Sequence, residues 1–140
     1  MTKAKRIWLA LVFLLIFHSI SFANYIDINR IVKIESNGNP LAYNKKDGDI
    51  GLCQITPICL KEWNNFHPKE QYTSNDLFNP VINLKIAEWY LEKRIPQMLK
   101  YYKCEVNTMN ILICYNAGIK AVVKGYIPLI TKRYLMKYGR

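Results

Sequence analysis

Apolar residues recur along this chain at helical spacing, in short runs separated by turn signals. Ile28, Ile31 and Val32 form one stripe, and the next place on it is Glu35. Asp27 stands where an N-cap would, and Asn37-Gly38-Asn39-Pro40 ends the run, so the spacing predicts a helix from about Asp27 to Glu35 or Ser36. Asp47-Gly48 is a hairpin-type turn between short extended arms. Thr56-Pro57 and Asn79-Pro80 each combine a capping side chain with a proline suited to the first helical turn. Residues 64–78 are polar and broken by Pro68, which predicts a long loop. Val81, Leu84, Ala87 and Leu91 then follow at helical spacing to about Arg94, where Pro96 breaks or kinks the helix. Thr108 can cap a helix over MNILICYNA that ends at Gly118 in the left-handed C-terminal position. Short helices around 119–124 and 129–138 close the chain. The expectation is a mainly helical domain with one small hairpin, less regular than a four-helix bundle.

The first residues do not fit that domain. MTKAKR is basic, IWLALVFLLIF is apolar, and SISFA ends in small residues, which is the order of an export signal. The apolar run is short for a membrane span. The expected cut follows Ala23, leaving 24–140 as one domain in the periplasm or cell envelope, with membrane contact only through the leader. The net charge of +10 falls to +7 without Lys3, Lys5 and Arg6. A basic exported protein suits an anionic partner such as a wall polymer. The lysines read as scattered, with no concentrated stripe, which with export argues against nucleic acid. Cys53, Cys59, Cys104 and Cys114 would meet an oxidising compartment, so two disulfides are expected, with three pairings open. No CxxC occurs, and His67 has no partner at ligand spacing, so neither a metal nor another cofactor is expected.

Glu35 raises the question of chemistry. A carboxylate against an apolar wall loses hydration in its charged form, its pKa rises, and it can hold a proton near neutral pH for delivery as a general acid. Two later stretches bear on it. GLCQITP, residues 51–57, sets Gln54 in a compact turn leading into a helix, and CYNAG, residues 114–118, sets Tyr115 and Asn116 in the last turn of another. In order and spacing, ES-x-x-NP at 35–40, GL-x-QI-x-P at 51–57 and YNAG at 115–118 resemble the soluble-type lytic transglycosylases, the SLT domain of the lysozyme-like superfamily. LFNPVINLKIAEWYL, residues 77–91, is similar to the segment between the family's second and third motifs, and YIPLITKRYLMKY, residues 126–138, to its closing helix.

The resemblance implies an α+β, mainly helical, lysozyme-like domain with a glycan groove between a helical body and a small β region. It implies peptidoglycan as substrate, cut between N-acetylmuramic acid and N-acetylglucosamine to leave a 1,6-anhydromuramic end. Glu35 matches the catalytic glutamate. Ser36, Asn44, Gln54, Tyr115 and Asn116 match positions around the bound sugar. Small stand-alone members of this family often serve secretion, conjugation or flagellar machines, which implies such a partner beside the glycan strands. The chain departs from the family pattern at Cys53, where methionine is usual, at Asn44, where serine is common, and at Ile130-Thr131, where Glu-Thr is frequent. A Cys53–Cys114 disulfide would tie two of the motifs together.

Two other readings use the same residues. A goose-type hydrolase would need a second carboxylate to position water, and Asp47 or Asp49 lies in the turn after the first motif. Ordinary Asp-Gly turn chemistry also explains both aspartates. A glycan-binding assembly protein without turnover would keep the groove but have no use for the acid.

Overall fold

The computed structural model describes residues 26–140. The export signal expected over 1–23 lies outside them. Helix α1 (Ile28–Ser36) leads into a hairpin of β1 (Tyr43–Asn44) and β2 (Asp49–Ile50). Helix α2 (Pro57–Phe66), a 3₁₀ turn (Ser74–Phe78) and α3 (Pro80–Trp89) follow. A π-helical segment (Tyr90–Arg94) passes directly into α4 (Ile95–Tyr101), and α5 (Thr108–Ala117), α6 (Ile119–Val123) and α7 (Leu129–Tyr138) complete the fold. The architecture is mainly helical with one small antiparallel hairpin, as the periodicity predicts.

Local capping chemistry sets several boundaries. The Asp27 side chain accepts from the Asn29 amide, Thr56 from Cys59, and Asn79 from Val81 and Ile82. Each satisfies a donor that the first helical turn leaves without a partner. Asn37 ends α1 in the left-handed region at φ 52°.

Other boundaries differ from the sequence reading. The stretch 64–78 is not all loop: α2 runs to Phe66, and Thr73 and Asp76 form a capping box that starts the 3₁₀ turn. Pro96 does not end its helix, because the π segment changes the hydrogen-bond register just before it and Ile95 donates to Tyr90 O. A wider turn leaves room for a residue without an N–H. Asn107, not Thr108, caps α5, accepting from the Asn110 amide. Gly118 ends α5 at φ 81°, ψ 163°, an extended positive-φ conformation rather than the left-handed one.

Helix α5 forms the middle of the core. Ile111, Leu112, Ile113 and Cys114 are all buried, so the middle of this helix is enclosed on every side, while Met109 in its first turn and Asn116 in its last are exposed. It packs against α4, α6 and α7, while α1 packs against α7. The β region is tied to this body by Asn83 on α3, which is fully buried. Its side chain accepts from the Cys53 amide at 2.9 Å and donates to Ile50 O at 2.8 Å and Leu77 O at 2.9 Å. Gly51 makes that approach possible. A Cβ there would fall 2.2 Å from Asn83 Nδ2, and its φ of +80° disfavours other residues.

A further expectation is corrected. All four cysteines are free thiols, three of them buried as small apolar core residues. From Val106 to Arg140 there are six basic residues and no acidic one. Among the described residues no helix is long and apolar enough to cross a membrane.

Candidate functional site

A groove of about 280 Å³ lies where the ends of α1, β2 and α5 meet the start of α2. Glu35, Gln54, Tyr115 and Asn116 all line it, so four of the residues singled out in the sequence converge although up to 81 positions separate them. Asp49 lines it as well. Ser36 and Asn44 do not. Ser36 Oγ donates back to Val32 O at 3.3 Å within α1. Asn44 Nδ2 donates to Asp47 Oδ2 at 3.0 Å and Asp49 Oδ2 at 3.2 Å, so it holds the hairpin carboxylates in place. Asp47 stays in the turn.

Glu35 stands one helical turn beyond Ile31, the fully buried anchor of α1. Burial of its carboxyl raises its pKa from 4.5 to about 7, because the charged form loses hydration. Tyr134 opposes that rise. Its hydroxyl faces Glu35 from α7, close enough to favour the charged form but outside strict hydrogen-bonding geometry. The negative charge of Asp49 pushes the value up again, and Lys137 draws it down. Asp49 is itself raised, mainly by burial and against its bond from Asn44.

The amides around the groove are oriented by partners. Gln54 sits in the left-handed region at φ 49°, and its Nε2 donates to Ala42 O at 3.3 Å and Gly51 O at 3.0 Å. With both amide hydrogens engaged, its oxygen is the atom left to accept from a ligand. Asn116 is held in the opposite sense. Its Oδ1 accepts from Thr131 Oγ1 at 2.7 Å, which leaves its NH₂ as donor. The Tyr115 hydroxyl donates to Cys53 O at 2.7 Å, joining the end of α5 to the Gln54 turn. Burial keeps that phenol protonated, well above its ordinary range. The groove thus offers Glu35 as a protonatable carboxyl beside a second carboxyl, Asp49, with one oriented acceptor and one oriented donor.

The sequence reading missed Tyr134 and Tyr90. Tyr134 belongs to the inward stripe of α7 with Thr131 and Tyr138, a spacing visible in the sequence. Nothing local marks Tyr90, which reaches the groove from the π segment.

A search of curated proteins returns no match to this chain. The sequence model described as Transglycosylase SLT domain matches residues 27–126, a span that holds every residue lining the groove. The chain therefore belongs to the SLT family, whose activity is of the lytic-transglycosylase type and acts on peptidoglycan.

Proposed function

We propose that this protein is a peptidoglycan lytic transglycosylase that cuts the β-1,4 bond between N-acetylmuramic acid and N-acetylglucosamine, with Glu35 as its only catalytic carboxyl. The observation that carries this reading is Glu35 itself, raised to about 7 by burial at the edge of a groove with oriented amides. At neutral pH such a carboxyl is present in both forms, which suits a group that must give and then take a proton.

In the first step protonated Glu35 gives its proton to the glycosidic oxygen as the bond to the muramic anomeric carbon breaks. The positive charge that develops is shared with the sugar's own N-acetyl group, a substrate-assisted route that dispenses with a second carboxylate. In the second step ionised Glu35 takes the proton from the ring's C6 hydroxyl, whose oxygen closes on the anomeric carbon. The product is a 1,6-anhydromuramic end, and no water is consumed. The Gln54 oxygen and the Asn116 NH₂ are suited to the N–H and C=O of an N-acetyl group, and Tyr115 braces the floor between them.

A second reading is favoured by one observation: Asp49 shares the groove and its charge acts on Glu35. In a hydrolase of the goose-lysozyme kind Asp49 would position water. Mass analysis of the products from purified peptidoglycan separates the two, since a hydrolytic product is heavier by one water. Loss of all cutting in Glu35→Gln is expected. Cutting at the parent's rate by that variant refutes the assignment, and binding without cutting by both proteins favours a glycan-binding assembly role.

The cellular setting follows the same reading. Residues 1–23 serve as the export signal and 24–140 as the catalytic domain, placed in the envelope. There it opens local gaps in the wall for a secretion or conjugation machine.

A further inference from the structure

Helix α7 presents two different faces. Thr131 and Tyr134 point inward, to Asn116 and Glu35. The outward positions are Leu129, Ile130, Lys132, Arg133, Met136 and Lys137, all exposed and all apolar or basic. Leu129, Ile130 and Met136 keep 65%, 73% and 61% of their surface in water, far more than isolated packing residues need. The turn before the helix continues the composition, with exposed Val123, Lys124 and Tyr126. Among the described residues, none of Lys124, Lys132 and Arg133 forms an ion pair.

A sugar strand would account for the cations through its anionic substituents but not for the exposed aliphatic groups. An anionic lipid surface accounts for both, since interfacial helices gain from apolar area and from basic residues together.

We propose that the outward face of α7, with the 123–126 turn, is a docking site for an anionic phospholipid surface. Docking there holds the groove, on the inner side of the same helix, within about one helix diameter (~10–12 Å) of the headgroups. The glycan strands brought to Glu35 are then those of the wall layer nearest the membrane, a consequence that rests on the proposed function; the lipid contact itself does not.

The test uses protein recovered from the envelope of expressing cells, sedimented with vesicles of phosphatidylglycerol or of phosphatidylcholine. Binding to the anionic vesicles alone is expected, falling as salt is raised. The double variant Lys132→Gln, Arg133→Gln should bind about 25-fold more weakly, at roughly fivefold for each basic residue removed. Leu129→Ser with Ile130→Ser should also weaken binding at least tenfold while melting like the parent. Equal binding to both vesicle types, no vesicle binding, or variants that bind like the parent overturn the proposal. Retention on an acidic protein without vesicle binding overturns it too. Because the readout is vesicle binding, failure of wall cutting would count against the proposed function and leave this result standing.

Discussion

Replacing Glu35 by glutamine should stabilise the fold in alkaline solution while leaving it unchanged in acid. Glutamine keeps the shape of the protonated carboxyl and cannot ionise. In the folded chain Glu35 titrates at about 7, against 4.5 when exposed to water. Between those values the folded protein holds a proton that the unfolded chain has released, so the parent's stability falls as pH rises. Below pH 4.5 both states are protonated and the group contributes no difference. Above pH 7 the parent carries a desolvated charge, at a cost of up to about 3 kcal/mol. The variant escapes this cost, so its advantage should grow from near zero at pH 4 to as much as 3 kcal/mol at pH 9. Urea unfolding of both proteins at several pH values measures it, with the slope of free energy against urea checked for constancy. A difference that stays flat from pH 4 to 9, or a variant less stable at high pH, refutes the claim that burial sets the acid. Wall cutting should be lost in the variant at every pH, so the gain in stability and the loss of activity come from one atom change.

Three further outcomes follow from the geometry. Asp49→Asn removes a negative charge that raises Glu35, so the alkaline limb of the pH–activity curve should move to lower pH. A transglycosylase keeps cutting in that variant, whereas loss of nearly all turnover would support the hydrolase reading. Asn83→Ala strands the Cys53 amide and the Leu77 carbonyl and removes one of the two donors to Ile50 O, which keeps the Ile55 amide, and should cost about 2 to 5 kcal/mol in chemical unfolding. A smaller loss would mean that water replaces the amide. Gly51→Ala drives a methyl into Asn83 and the Leu77 carbonyl and should cost about 2 to 4 kcal/mol. Gly125→Ala, at φ 65° with open space around it, should cost about 1 kcal/mol; equal losses at the two positions would rule out the close approach as the cause.

Capping is the part of this fold most readable from the chain. Asp27, Thr56 and Asn79 stand within three residues of the amides they satisfy, and a short range leaves little for tertiary structure to alter. The errors fall where a distant element changes a local preference. Pro96 was expected to break or kink a helix near Arg94, but a π turn absorbs it and the helix runs on. The cysteines were expected to pair, yet Cys53, Cys59 and Cys114 each fill core space instead.

The order of the three motifs was enough to single out Glu35, Gln54, Tyr115 and Asn116, which the fold brings to one groove, because the residue types and their spacing are properties of the chain itself. What each one can do was decided in three dimensions. The acidity of Glu35 depends on dehydration by a wall that α1 alone does not supply, and on Tyr134 and Lys137 arriving from α7. The donor and acceptor offered by Asn116 and Gln54 depend on which of their atoms Thr131, Ala42 and Gly51 occupy. The sign of the net charge was plain in the composition, but the outward facing of Lys132 and Arg133 was not, since facing is settled only when Thr131 and Tyr134 turn inward to the core. Sequence determines which groups are available and which local hydrogen bonds they can close; the packing of distant segments determines hydration and orientation, and those two quantities make a carboxyl an acid.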